Sequence, residues 1–386
     1  MARKSSVAKL KDKLTAQFGE GEVRYLSEIP EYTPIPSGSL SLDYATGIGG
    51  FPNNRVVEIA GSNGVGKSTL SFATIRNALE MYPDRGALYL DVEGRISAEW
   101  VKKFLSPEQV DRFIVIQPET AEDATDRYVE AVRSGDICVA AFDSIGGAPA
   151  KQSMEKSATI GSYGGNSKAI TNFARFAQTY SNKYTCLTIG VNQVRDDLSG
   201  YSRLITPGGQ GWKHATSLRI ELKRKTKDIR MLKINGNETQ VGFLVRARIH
   251  KNSVGQAGTG VEYWVRSVDT EEYGPIGIDN VEELVNLAFL TGAIESGGSG
   301  RYSSPHFPNG KMHGFDKTKR FVLENQDVYQ AILAEVLAKM KGDGIEGAFE
   351  TFTPVGEDDI VEDETVSMKS MITPLAGQDV DATLSR

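Results

Sequence analysis

The stretch Gly61-Ser62-Asn63-Gly64-Val65-Gly66-Lys67-Ser68 fits the pattern Gly-x-x-x-x-Gly-Lys-Ser/Thr. It stands between an apolar run, Val56 to Ala60, and a helical stretch that opens near Ser68. Such a turn needs a strand on one side and a helix N-terminus on the other, because its backbone N–H groups must converge on an anion. The glycines let the chain curl tightly enough for that. Lys67 then reaches the β and γ oxygens of a nucleotide, and Ser68, followed by Thr69, is placed to ligate Mg²⁺. ATP and Mg²⁺ are therefore the expected ligands.

Around this turn, short apolar runs alternate with helical stretches: Val56 to Ala60, Ala87 to Val92, Phe113 to Gln117, Ile137 to Asp143 and Thr185 to Asn192. The series predicts an α/β fold with a mainly parallel twisted sheet covered on both faces. Two of these runs end in acids on the side of the sheet where the phosphate turn lies. Asp143 closes Cys138 to Phe142 and is the natural carboxylate to orient Mg²⁺ and its water. Glu93, after Leu90-Asp91-Val92, can polarise an attacking water; the alternative is that it only caps the next helix. Further strands are expected over Ser217 to Lys223 and Phe243 to His250. A small α/β segment over residues 280 to 341 should end in a helix from about Asp327 to Lys341. At the start, Val7, Leu10, Leu14 and Phe18 recur at helical spacing among lysines, an amphipathic helix that needs a partner surface.

Charge is unevenly spread. Residues 343 to 386 carry eleven acids against Lys369 and Arg386, a net −9, which leaves +3 on the first 342 residues of a chain whose total is −6. A mildly basic body thus bears an acidic extension of disordered character. That extension either solubilises the protein or competes with DNA for the body. No apolar run approaches a membrane span, and nothing after Met1 reads as a signal peptide, so a cytoplasmic protein with no membrane partner is expected. Cys138 and Cys186 sit inside apolar runs and read as buried small hydrophobes.

Taken in order, Gln17-Phe18-Gly19-Glu20-Gly21, Pro36 to Asp43, Val57-Glu58-Ile59, Leu90 to Glu93, Phe142-Asp143-Ser144 and Asn192-Gln193-Val194-Arg195 resemble the bacterial RecA recombinases. The resemblance runs from about Val7 to Met340, and its inexact matches suit a phage-encoded member. It implies a RecA-like phosphate-loop ATPase core with an N-terminal helix and a small C-terminal α/β domain. The divisions would be 1–36, an oligomerisation helix and linker; 37–272, the core; 273–342, the small domain; and 343–386, the acidic tail.

By the same resemblance, Glu93 is the catalytic carboxylate and Trp100, in place of the family's usual tyrosine, stacks on adenine. Gln193 is the sensor that couples the γ-phosphate to the DNA-binding loop after it, although Asn192 and Gln193 could instead be a buried amide pair. Arg195 to Gly211, with Gly208 and Gly209, resembles the second DNA-binding loop, and Ser153 to Gly165 the first. Lys168, Arg175 and Arg195 become candidate phosphate contacts. In Val245-Arg246-Ala247-Arg248-Ile249-His250, the period of two puts three basic groups on one face. With Lys223, Arg224, Lys225 and Lys227 these match the family's secondary DNA site, a solvated strand face being the plainer reading. Where the family presents two lysines, one residue apart, to the neighbouring subunit's ATP, this chain has Lys251-Asn252-Ser253.

The expected activity is a DNA-dependent ATPase that forms helical filaments on single-stranded DNA and pairs it with homologous double-stranded DNA. A single-strand-binding protein or mediator is the expected further partner. Two rivals stay open: a helicase or motor on the same core, and a regulator that binds ATP and DNA without pairing strands.

Overall fold

The computed structural model describes residues 6–19, 22–29, 32–152, 165–194, 206–342 and 372–374. It separates at Thr33 into two units. In the first, α1 (Ser6–Phe18) is followed by a single 3₁₀ turn over Leu26–Glu28. Lys11 Nζ bonds both oxygens of Glu28, at 2.6 and 2.5 Å, and lies 4.3 Å from the centre of the Tyr25 ring. Val7, Leu10 and Phe18 are exposed, so the helix presents its apolar residues to solvent in the single chain.

The second unit runs in the order β1 (Pro34–Ile35), α2 (Leu40–Thr46), β2 (Phe51–Pro52), β3 (Val56–Gly61), α3 (Lys67–Met81) and β4 (Gly86–Asp91). It continues with α4 (Ala98–Val101), α5 (Pro107–Val110), β5 (Phe113–Ile116), α6 (Ala121–Arg133), β6 (Ile137–Asp143), α7 (Gly165–Tyr184) and β7 (Leu187–Gln193). Then come α8 (Gly209–Ala215), β8 (Leu218–Ile234), β9 (Asn237–Asn252), β10 (Thr259–Arg266) and β11 (Gly277–Ile278). The C-terminal part holds α9 (Asn280–Leu290), β12 (Glu295–Ser296), β13 (Arg301–Ser303), β14 (Lys311–His313), α10 (Phe315–Glu324), α11 (Gln326–Gly342) and β15 (Ile372–Pro374).

The main sheet has the order β11-β10-β9-β8-β3-β7-β6-β4-β5, with β15 pairing β10. From β8 to β5 the strands are parallel; β8 to β11 extend the sheet as an antiparallel meander. The parallel strands are near-continuous Val, Ile, Leu and Ala because both faces are covered. One face packs on Leu70, Phe72, Ile75 and Leu79 of α3, and the other on Tyr128 of α6, Phe173 of α7 and Trp212 of α8. A third cluster, around Leu284, Ile332 and Val336, forms the interior of the C-terminal helices. Cys138 and Cys186 are buried, unpaired thiols. Among the described residues no helix is long and apolar enough to cross a membrane.

Strands β8 and β9 are far longer than the expected Ser217 to Lys223 and Phe243 to His250. Lys225 and Lys227 lie within β8 rather than after it. The missed signal is Asn235-Gly236, with φ of 52° and 83°, a two-residue hairpin turn that needs left-handed backbone at both positions.

The Pro36 to Asp43 segment is a structural junction. Glu283 of α9 accepts hydrogen bonds from Ser39 Oγ at 2.6 Å and Ser41 N at 3.1 Å, and Asp43 accepts one from Ser37 N at 2.8 Å. Both carboxyls are fully enclosed, and burial pushes Asp43 up to about 8 and Glu283 to about 7. The fold therefore favours their protonated forms, whereas the unfolded chain ionises them near pH 4. Their contribution to stability is complete below about pH 4 and is lost as pH rises through about 7 to 8. Asp43→Asn should accordingly flatten the fall in melting temperature between pH 5 and 8. A melting-temperature profile parallel to the parent's would contradict this.

Candidate active site

Four strands of the parallel sheet end at one edge: β3 at Gly61, β4 at Asp91, β6 at Asp143 and β7 at Gln193. Ligands of open α/β sheets bind outside such carboxyl ends. A cleft of about 430 Å³ lies there, lined by Asn63, Gly64, Lys67, Ser68, Glu93, Trp100, Asp143 and Gln193 among others. Gly66, at φ 93°, supplies the left-handed turn that starts α3, while Val65 and Thr69 are buried beneath the loop.

Lys67 Nζ donates to Gly61 O at 2.9 Å and Ser62 O at 2.8 Å, so the lysine folds back over its own loop. Burial lowers its pKa, and Asp143 and Glu93 oppose that shift. Asp143 is displaced the other way: burial raises its pKa, against a hydrogen bond that Tyr89 OH donates to Oδ2 at 2.6 Å. The cleft thus holds a desolvated cation and a desolvated anion, whose mutual attraction only partly offsets their burial. Phosphates and a divalent cation would relieve both, and Ser68 and Asp143 offer hard oxygen donors of the kind Mg²⁺ favours.

Glu93 is more fully engaged than its sequence position suggests. Its Oε1 accepts from Ser144 Oγ at 2.5 Å and from Gln193 Nε2 at 3.2 Å, and its Oε2 pairs with Arg95 Nη1 at 2.8 Å. It caps no helix; Ser97 caps α4. Asp91 accepts from the backbone N of Arg95 at 3.2 Å and Ile96 at 3.0 Å, and so shapes the loop that carries Glu93. Trp100 borders the cleft and packs edge-on against Phe104, 5.5 Å between ring centres.

Gln193 leaves the end of β7, next to the phosphate-loop strand, and touches the carboxylate expected to activate water. A phosphate-loop ATPase needs no such contact. The sequence model described as the RecA N-terminal domain matches residues 6–263. Protein RecA of Thermus aquaticus is 30% identical over 331 residues, which cover 84% of this chain and 91% of that protein. Protein RecA of Allochromatium vinosum is 28% identical over 365 residues, covering 92% and 99%. This chain belongs to the RecA family.

The remaining RecA-like candidates fall into separate places. Lys168 and Arg175, seven residues apart, are exposed on α7. Gly208 caps the N-terminus of α8 and Gly209 opens it. Arg195 and most of both expected loops lie outside the described residues.

On the meander, Val245, Ala247 and Ile249 are fully buried and Arg246, Arg248 and His250 lie on the opposite face, with Lys223 beside Arg246. That face is not purely basic. Arg246 Nε meets Glu262 at 2.7 Å, and Lys225 Nζ meets the same carboxylate at 3.1 Å. Glu221 holds His250 at 2.8 Å and Lys223 at 3.1 Å. Arg248 Nε is buried with no hydrogen-bond partner among the described residues. Arg224 alternates to the other side, where its guanidinium stacks 4.4 Å from the Phe243 ring centre.

Lys251 is occupied within its own chain: its Nζ donates to the carbonyls of Lys213, His214 and Thr216 at 3.0, 3.1 and 2.5 Å. It caps the C-terminus of α8, a favourable place for a cation. Sequence reasoning gave no role to Tyr89, Asp91, Arg95, Ser144 or Lys251's cap. Asp91 and Ser144 had a signal, as parts of Leu90 to Glu93 and of Phe142-Asp143-Ser144.

Proposed function

We propose that this chain is an ATP-dependent homologous recombinase that forms helical filaments on single-stranded DNA and exchanges strands with a homologous duplex, with a single-strand-binding protein or mediator as a further partner. The contact between Gln193 and Glu93 carries the proposal. It joins the group best placed to polarise water to a residue two positions before the expected DNA-binding loop.

In the proposed cycle, the N–H groups of residues 61–69 and the ammonium of Lys67 hold the phosphates of ATP, and Trp100 stacks on its base. Mg²⁺, held by Ser68 and Asp143, would neutralise phosphate charge when bound. Glu93 takes the proton of the attacking water. DNA on the loop after Gln193 acts on Glu93 through the contact that this side chain already makes. Nucleotide between subunits would stabilise the filament by mass action. Residues 1–36, 37–272, 273–342 and 343–386 serve respectively as oligomerisation arm, ATPase core, small domain and acidic tail.

Lys251 would have to leave the α8 carbonyls to reach a neighbour's ATP, with no second lysine at Ser253 to assist. Lys251→Ala should lose the DNA-stimulated part of ATP turnover while still binding nucleotide; unchanged turnover removes Lys251 from the site. Arg248, whose Nε has no partner among the described residues, and its neighbour Arg246 support a phosphate-binding face. Replacing both by alanine should abolish strand exchange yet spare ATP turnover on single-stranded DNA, and full exchange would mark the face as merely solvated. The proposal as a whole is tested by measuring ATP turnover with and without single-stranded DNA across a salt titration. Stimulation that weakens as salt rises is expected; none at any salt would overturn it.

A further inference from the structure

Glu58 lies in the middle of β3, three residues before the phosphate loop begins, and is completely buried. A carboxylate at that depth is costly unless its oxygens are filled. Here Oε1 accepts from Asn192 Nδ2 at 2.8 Å and Trp212 Nε1 at 2.9 Å, and Oε2 from Arg219 Nε at 2.5 Å. The three donors stand on β7, α8 and β8.

Two of them reach onward. Asn192 Nδ2 also donates to Pro207 O at 3.0 Å, and its Oδ1 accepts from Gln193 N at 3.0 Å. Arg219 Nη2 donates to Thr206 Oγ1 at 3.0 Å. Gln193, before residues 195–205, and Thr206, after them, are thus tied to one carboxylate. We infer that Glu58 is a positioning residue: it fixes Gln193 against Glu93 and locks that placement to the Thr206–Gly208 anchor on the far side of the loop. DNA engaging either flank is then felt at the hydrolytic carboxylate. The assignment rests on the DNA-dependent hydrolysis proposed above.

The chemistry makes Glu58→Gln a sharp probe. A carboxylate offers only acceptors to these donors, whereas an amide offers one oxygen and one NH₂. Whichever way the amide turns, a donor faces a donor. In Glu58→Gln/Arg219→Gln the amide at position 58 can donate to the amide oxygen at 219 and turn its own oxygen to Asn192 and Trp212, so the arm that holds Gln193 closes again without charge, while the Arg219 bond to Thr206 stays lost.

ATP turnover with and without single-stranded DNA, ATP affinity and melting temperature are measured on the full chain, both single variants and the double variant. Glu58→Gln should keep ATP affinity and DNA-free turnover but lose the DNA-stimulated component by about tenfold or more, the effect of a spoiled charge-assisted hydrogen bond. Arg219→Gln should also lose stimulation, and the double variant should regain the part that depends on the Gln193 arm. Full stimulation in Glu58→Gln overturns the inference. So does a parallel fall in affinity, DNA-free turnover and stimulation, which marks a purely structural role, or a double variant that folds without regaining stimulation. If Glu58→Gln alone fails to fold, Arg219→Gln and the double variant decide by the same outcomes. Absence of stimulation in the unmodified chain would overturn the proposed function itself, and Glu58's role with it.

Discussion

Glu93→Gln should lower ATP turnover by about 10²- to 10⁴-fold, the usual worth of a positioned general base, while ATP still binds. Glutamine keeps the size of the side chain and an oxygen for Ser144, so the cleft should keep its shape. It cannot take a proton from water, and it breaks the ion pair with Arg95. Single-turnover hydrolysis on single-stranded DNA, alongside an equilibrium measurement of ATP binding, separates the two effects. Turnover within a few-fold of the parent would transfer the base to another group. Loss of binding would mean that Glu93 shapes the phosphate site rather than acting on water.

Trp212→Ala should cost about 3–5 kcal/mol of stability, in the range of large aromatic deletions from cores. Trp212 is fully buried, packs on Phe173 with ring centres 6.2 Å apart, and donates to Glu58. Its ring occupies space that exists only because residue 190 is glycine: a Cβ there would lie 2.2 Å from Trp212 Cζ2. Alanine at 212 therefore leaves a void and takes one of three donors from the buried carboxylate. Gly190→Ala attacks the same spot from the other side by overpacking, at about 1–3 kcal/mol. Chemical denaturation of the two variants measures both losses. A cost below about 1 kcal/mol for Trp212→Ala would mean that the site collapses freely and that the indole is not its keystone.

Much of this architecture is legible before any coordinates. The phosphate turn fixes a strand, a helix and their junction, and apolar runs with acids at their ends place Asp143 and Glu93 at the same sheet edge. These signals are local, so they survive in the linear sequence. What the sequence conceals is long-range. Lys225 to Ile234 reads as a charged surface stretch because an antiparallel arm that is exposed along most of its length needs no buried face; only Asn235-Gly236 betrays it. Glu58 looks like one acid in an apolar strand, and its donors are 134, 154 and 161 positions away in the chain. The basic period of Arg246 and Arg248 is plain, but Glu221 and Glu262, which partly neutralise it, come from the two neighbouring strands. Lys251 reads as a free cation, and only the fold shows it capping α8.

The most direct measurement mixes circular single-stranded DNA, homologous linear duplex, ATP and Mg²⁺ with the purified chain and scores joint molecules by gel mobility. Joint molecules should form, require ATP and homology, and disappear when Arg246 and Arg248 are both alanine. DNA-dependent ATP turnover without joint molecules would contradict the recombinase assignment.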